Sequence, residues 1–315
     1  MIKTGYVTLA AALILLAVPA WATENVTNAA GQAWGLENAN GSARTKAMGS
    51  AVVGLADDPT AMLSNAAGLG NVERTELSLH HNSWLVDTYQ ETAVVGFPVH
   101  PGTGLGLAFN YLDYGTMESR DSTGVDTGSY TATSMGLAAA LGFTMTGNFL
   151  GGIALKASQR TLADTNYNSL AADLGVLCPL PNGARLGASW TNLGAGPSGT
   201  DLTSVFRAGG SWNIGLGKQD HVILAADVAI GSNNTHAVRA GGEWTLLSAL
   251  ALRGGYQLSL DENALQGLNS VTAGVGFFIQ DFLLDYTYLP FGDLGSSQRV
   301  SATYRFASPA PASKP

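Results

Sequence analysis

Cysteine is almost missing from this chain. Cys178 stands alone, so no disulfide framework can hold the fold. Charge is scarce too. Only 12% of the 315 residues are Asp, Glu, Lys or Arg, against about 25% in an ordinary soluble domain, which excludes a coiled coil or a long charged bundle. The 15 basic residues are outnumbered by 23 acidic ones, giving a net charge of −8, so nucleic acid is not an expected partner. Beyond residue 22 no apolar run reaches the ~18 residues that a spanning helix needs. No repeat of about 40–45 residues marks a propeller, and no shorter fixed period marks a solenoid. What the chain does have is 46% hydrophobic residues and 40 glycines. That much apolar content excludes a disordered chain.

The amino terminus reads as a secretory signal. Lys3 is followed by an apolar stretch from Val7 to Val18, then Pro19 and the small-x-small site Ala20-Trp21-Ala22. Residues 1–22 are therefore expected to be removed on export. An exported, weakly charged, glycine-rich chain without a membrane helix points to a transmembrane β-barrel. A closed sheet is the only other structure that satisfies its own backbone in lipid.

From Glu73 onward, segments of about 10–15 residues alternate apolar and polar positions between turn residues. The pattern predicts fourteen strands: 73–85, 87–99, 102–115, 129–145, 149–164, 167–180, 184–196, 203–214, 220–231, 235–247, 250–260, 269–280, 282–292 and 296–306. Fourteen is an even number, as single-chain bacterial barrels require. In 250–260, Leu252, Gly254, Tyr256 and Leu258 share one face, and Arg253, Gln257 and Ser259 the other. Trp190, Trp212, Trp244, Tyr256, Tyr286 and Tyr304 fall on apolar faces, where an interfacial aromatic girdle belongs. Residues 116–128 read as a longer polar extracellular loop, and 307–315 as a disordered tail.

Parity also sorts the charges. It turns Lys156, Arg160, Asp173, Arg185, Arg207, Asp227, Arg239, Glu243, Arg253, Asp285, Arg299 and Arg305 inward, eight basic and four acidic. Arg or Lys on the lipid face would cost ~2–4 kcal/mol at midplane. Cross-strand pairs such as Asp227 with Arg239 account for part of this set, and Asp57 and Asp58 are expected to neutralise more of it. The excess of cations favours an anionic amphipath as ligand, with Arg239 and Arg253 as its holders.

Residues 23–72 lack strand alternation and are too many for a simple lead-in. They include Ala43-Arg44, Met48-Gly49-Ser50-Ala51, Ala56-Asp57-Asp58 and Asn65-Ala66-Ala67-Gly68-Leu69. With Trp84-Leu85-Val86-Asp87, Asp173-Leu174-Gly175, Asn192-Leu193-Gly194, the run from Leu250 to Tyr256, and Tyr304-Arg305-Phe306, this order of motifs resembles the FadL-like outer-membrane superfamily. Its PorV/PorQ branch is the most similar. The resemblance implies a fourteen-stranded barrel, 73–306, with 23–72 folded inside as a hatch that includes Arg44, Met48, Gly49, Asp57, Asp58 and Asn65. One departure is that the family's Asn-Pro-Ala is Asn65-Ala66-Ala67 here, without the stiff turn of proline.

No catalytic chemistry is legible. His80 and His81 are adjacent on a strand and point to opposite faces. His100, His221 and His236 lie near strand ends. No Gly-x-Ser-x-Gly elbow occurs, and Asp121 to Asp126 read as a solvated loop rather than a calcium site. Neither enzyme activity nor a cofactor or metal is expected. Two functions follow from the resemblance. The first is passive transport of hydrophobic or amphipathic small molecules. The second is a PorV-like shuttle of type IX secretion that binds cargo proteins. Both place the chain in the outer membrane, among lipid and after handling by the barrel-assembly machinery.

Overall fold

Alternation at period two becomes strand after strand because each residue then has one lipid-facing or lumen-facing slot to fill. In the computed structural model, which describes residues 42–84, 87–196, 202–233, 235–260, 270–290 and 295–307, the fourteen strands are Glu76–Ser83 (β1), Tyr89–His100 (β2), Thr103–Arg120 (β3), Asp126–Thr144 (β4), Leu150–Leu162 (β5), Thr165–Pro179 (β6), Ala184–Ala195 (β7), Val205–Gly215 (β8), His221–Gly231 (β9), His236–Leu246 (β10), Leu250–Ser259 (β11), Ser270–Ile279 (β12), Phe282–Pro290 (β13) and Ser296–Arg305 (β14). The expected signal segment 1–22, residues 23–41 of the expected hatch and the tail beyond 307 lie outside the described residues.

Neighbouring strands pair antiparallel all the way round, and β1 closes on β14 from Glu76↔Arg305 to Ser83↔Gln298. Closure leaves no sheet edge unpaired. This is an all-β transmembrane barrel. No helix among the described residues is long and apolar enough to cross a membrane.

The outward face is built for hydrocarbon. Leu107, Leu137, Leu155, Leu170, Leu224 and Leu284 stand exposed along it, an apolar belt far beyond what a water-soluble surface carries. Aromatic side chains form two rings. Trp212, Trp244, Phe282 and Tyr304 lie toward the end where β1 begins and β14 finishes, Trp190, Tyr256 and Tyr288 lie toward the other, and Tyr286 sits at the middle of β13. Phe282, Tyr304 and Phe306 stack in succession with ring centroids 4.6 and 4.7 Å apart. Turns at the terminus end include the two-residue links 101–102 and 280–281, whereas 196–204 and 260–269 connect strands at the opposite end. Short turns face the periplasm in such barrels and longer loops face outward.

The expected loop at 116–128 is corrected. β3 runs on to Arg120 and β4 starts at Asp126, with Thr116↔Thr131, Met117↔Tyr130 and Glu118↔Ser129 paired. Only 121–125 is loop. Alternation vanishes here because the ribbon has cleared the membrane and both faces meet water, so neither face selects apolar residues.

Inside the barrel lies the segment from residue 42 to 75. It holds a five-residue helix, Ala43–Ala47 (α1), and two 3₁₀ turns, Pro59–Leu63 and Ala66–Asn71. Ser42 caps α1 by accepting from the Thr45 N–H, Asp58 caps the first turn through Thr60, and Asn65 caps the second through Ala67. Met62, Leu63, Ala66 and Leu69 pack on Val94, Ala108, Ala138, Ala140 and Ala154 of β2–β5. Met48, Ala51, Val52 and Leu55 pack on Ile223 and Ala225 of β9.

Candidate functional site

The lumen is a site because a segment with little regular structure of its own is seated in it. Such a segment has backbone N–H and C=O groups that need partners once buried, and the wall supplies them. Ser301 accepts from the Ala43 N–H at 2.7 Å; Thr287 and Thr272 donate to Ala43 O at 2.6 Å and Ala47 O at 2.9 Å. Ser211 donates to Gly54 O at 2.9 Å, and Arg185 to Leu55 O at 2.9 Å. One Asp227 oxygen accepts from the N–H groups of Val52 and Val53 at 3.0 and 3.3 Å. The Asn65 amide donates to Val53 O at 2.8 Å and to Val176 O of β6 at 3.0 Å. That side chain fixes the Asn65-Ala66-Ala67 turn without the missing proline.

Close approach is the second requirement, and glycine meets it. A Cβ added at Gly152 on β5 would collide with the backbone of Ala66 and Ala67; one at Gly175 on β6 would meet the Asn65 side chain; one at Gly187 on β7 would meet Val53 O. Gly104 and Gly142 stand the same way against Leu69 and Ala66, and Gly241 and Gly255 against Met48 and Gly49. Gly49 itself has φ +63° in the turn after α1, a conformation open to glycine at no steric cost. These inward glycines form a belt round the wall on which the inner segment rests. Sequence reading counted the glycines without seeing this role, because nothing local distinguishes Gly255, which faces the inner segment, from the outward Gly254.

All twelve charged residues that parity turned inward do project to the lumen side, and most have partners there. Lys156 lies 2.5 Å from Asp173 and 3.3 Å from Asn192, at the bulge where β6 and β7 slip register. Arg160 stacks over Tyr114 at 5.2 Å and Arg299 over Trp84 at 5.7 Å. Arg305 meets Glu76 at 3.5 Å, an inward carboxylate that sequence reading did not single out. Arg239 lies 3.8 Å from Asp227, its cross-strand partner, and donates to Gln257 at 3.3 Å.

Two expectations are overturned. Asp57 and Asp58 do not neutralise wall arginines: they bind Arg44 of their own segment, at 2.6 and 3.3 Å. Arg44 also reaches wall Glu243 at 2.8 Å, so the wall contributes the acid and the inner segment the base. Nor is Arg253 free to hold a ligand. Its side chain is 0% exposed, with Nε 2.5 Å from Glu243 and Nη1 2.5 Å from Asp285. Parity fixes which side a charge faces but not which neighbour claims it. The linked set Arg44–Glu243–Arg253–Asp285 fastens the inner segment to the wall at the terminus end. A cavity of about 220 Å³ opens there, lined by Arg44, Asp57, Asp58, Glu76 and Arg305 among others. The carboxylates around it hold the Arg44 guanidinium well above its ordinary range, despite opposition from burial.

Lys46 has the opposite surroundings. Burial pushes its ammonium well below the ordinary lysine range, and Arg299, Arg239 and Arg207 push the same way. A cation with a depressed folded-state pKa lowers stability in full below that pKa, and the penalty fades as pH rises to the ordinary value of 10.5. Lys46→Met is therefore expected to raise the thermal midpoint at pH 7, by an increment that disappears as the pH approaches 10.5. A melting series across that range measures it.

Among the described residues Ser301, His80 and Asp285 do not form a hydrolytic triad. Ser301 Oγ is 2.8 Å from His80 Nδ1, but the same oxygen accepts from Ala43 and is buried, while the neighbouring Asp285 carboxylate is bound to Arg253. Among the described residues no group of three or more His, Cys, Asp or Glu could hold a metal ion.

Comparison with solved structures places this architecture. The Ralstonia pickettii toluene transporter TbuX superposes with a TM-score of 0.59 at 15% identity, covering 85% of this chain and 98% of that one. The Pseudomonas putida toluene transporter TodX gives 0.62 at 12% identity, over 85% and 98%. A Pseudomonas aeruginosa FadL homologue gives 0.55 at 12%, over 82% and 96%. The chain shares the barrel fold of these three proteins. No protein-family model matches the chain, and no curated protein matches it in sequence.

Proposed function

We propose that this protein is an outer-membrane barrel for passive passage of hydrophobic or amphipathic small molecules, with residues 23–72 as its hatch. One observation carries the reading: the lumen is filled by a separate segment seated on glycines, hydroxyls, two apolar patches and one ion network, not by a continuous core of wall side chains. Such a seat can be vacated without dismantling the wall, whose ladder is complete by itself. The likeness to toluene transporters supports the same reading. Arg44, Met48, Gly49 and Asn65 are the seating residues that touch the wall, and Asp57 and Asp58 hold Arg44 in place.

Deleting 23–72 is the direct test. The truncated chain is expected to insert, to migrate faster unheated than boiled in detergent gels like the full barrel, and to conduct far more in planar bilayers. Failure to insert would make the segment part of the folding unit instead of a hatch. In cells the full chain belongs in the outer-membrane fraction, and recovery as a soluble periplasmic protein would remove the proposal.

The ribbon made by the loop-side ends of β3 and β4 supports a second reading, a PorV-like secretion shuttle that receives cargo proteins at the outer face. Removing 116–128 would abolish cargo co-purification under that reading and leave small-molecule uptake untouched under the first.

A further inference from the structure

The inner segment stands on two different footings. Residues 42–55 lie against β7–β14, where wall side chains hold the backbone at Ala43, Ala47, Val52, Val53, Gly54 and Leu55. Among the described residues, their buried apolar cluster of Met48, Ala51, Val52 and Leu55 takes in only Ile223 and Ala225 from the wall. Residues 59–72 contain no charged side chain. Met62, Leu63, Ala66 and Leu69 pack on five apolar residues of β2–β5, and Ala61 and Ala67 pack with Leu150 and Leu177. Water can replace a broken hydrogen bond at little net cost, but it cannot replace a dry apolar contact. The first footing is therefore the easier one to leave.

The path of the chain enforces the same division. Only residues 72–75 join the second 3₁₀ turn to β1, a reach of about 13 Å at full extension, so 59–71 cannot travel far from the wall. Residues 42–55 are joined to them through Ala56, whose φ of +35° is one that a residue with a side chain rarely adopts. Ala56 belongs to the second footing: a Cβ on Gly68 would collide with its carbonyl oxygen, and its side chain packs with Ala61 and Ala67. The bend thus falls at the Leu55–Ala56 link. Two contacts clasp the pieces across it, Arg44 to Asp57 at 2.6 Å and the Asn65 amide to Val53 O at 2.8 Å.

We propose that the inner segment opens by halves: 42–55 swings off β7–β14 about the Leu55–Ala56 link, while 56–75 stays on β2–β6 as a fixed part of the barrel. The passage so opened runs along the hydroxyls and glycines of β7–β14 and leaves the apolar patch of β2–β5 covered. This deepens the transport reading, on which it rests for the use of that opening.

Hydrogen exchange on the full chain in detergent reads the motion directly. The Ala43, Val52 and Val53 N–H groups are bonded to Ser301 and Asp227 of the wall and lose those partners on release, so peptides covering 43–55 should exchange about tenfold or more faster than those covering 59–72. Two cross-links, each in a Cys178→Ser background, then pin one piece at a time. A Cβ on Gly274 of β12 would lie 2.6 Å from the Ala47 Cβ, and one on Gly96 of β2 would lie 3.0 Å from the Pro59 Cβ, each within about 1 Å of the span of a disulfide. Ala47→Cys with Gly274→Cys fastens the first piece, and Pro59→Cys with Gly96→Cys the second. Heat-dependent gel migration confirms that both variants are folded barrels. Oxidising the first pair should cut uptake of a neutral aromatic solute by proteoliposomes about tenfold or more, with recovery on reduction, and oxidising the second should leave it within about twofold. Equal exchange in the two pieces, loss of uptake with the second pair oxidised, or uptake unchanged by the first overturns the split. If neither the unmodified nor the reduced proteins take up solute while exchange still differs, the transport reading falls and the split stands.

Discussion

Gly152→Val with Gly255→Val is expected to unseat the hatch while the barrel stays folded. Each valine would drive its Cβ into hatch backbone, that of Ala66 and Ala67 in one case and of Met48 and Gly49 in the other. Backbone cannot swing aside as a flexible side chain does, so each replacement costs about 1–3 kcal/mol of seating free energy. The two contacts are separate and their effects should add. Even at the lower bound the seated-to-unseated ratio falls by about 30-fold, since 1.4 kcal/mol is a factor of ten. Conductance in planar bilayers and entry of large hydrophilic dyes should both rise sharply. Gly254→Val is the control. It lies next to Gly255 in sequence but faces outward, and its nearest neighbour would be Thr272 O at 3.9 Å. If Gly254→Val and Gly255→Val conduct alike, the glycine belt is not the seat.

Arg253→Gln is expected to destabilise the barrel by about 3–5 kcal/mol, the usual consequence of stranding buried carboxylates that have lost their cation. Glu243 would keep Arg44, but Asp285 would lose its guanidinium partner. Unfolding by urea in lipid vesicles should show the loss as a lowered midpoint with an unchanged slope. Removing charge from the whole set, as Glu243→Gln, Arg253→Met and Asp285→Asn together, should recover most of it, because no buried charge is then left unpaired. Arg239→Gln makes the useful contrast. Arg239 has a long contact to Asp227 and one bond to Gln257, and without it Asp227 still accepts from the Val52 and Val53 N–H groups, so its loss should lower the midpoint less than Arg253→Gln does. A midpoint for Arg253→Gln equal to that of Arg239→Gln would show that the network does not hold the hatch.

The chain by itself determined the wall. Side-chain parity in a strand is a local property, so Val222, Leu224 and Val228 against Asp227 give the lipid face and the lumen face without reference to any other strand. The same parity placed the inward arginines, and the apolar run Ala51 to Ala56 marked a segment that had to be buried. Parity fell silent where its cause did, in the ribbon at 116–120 and 126–131 that water surrounds on both sides.

Only the tertiary structure decided what the lumen does with those residues. Arg253 and Arg239 look alike in sequence, each inward and each opposite an acid on a neighbouring strand. Glu243 and Asp285 close on the first, whereas the second is left with an acid shared with the hatch backbone. Likewise Asp57 and Asp58 turn to Arg44 because the fold of the inner segment brings all three to one mouth of the barrel. Gly152 meets Ala67 across a separation of 85 residues, and Gly255 meets Gly49 across 206. Which glycine is a seat and which is filler depends on where a distant segment comes to rest. A period-two pattern carries no information about that, because pairing partners and close approaches are set by register and docking, not by the alternation of a single strand.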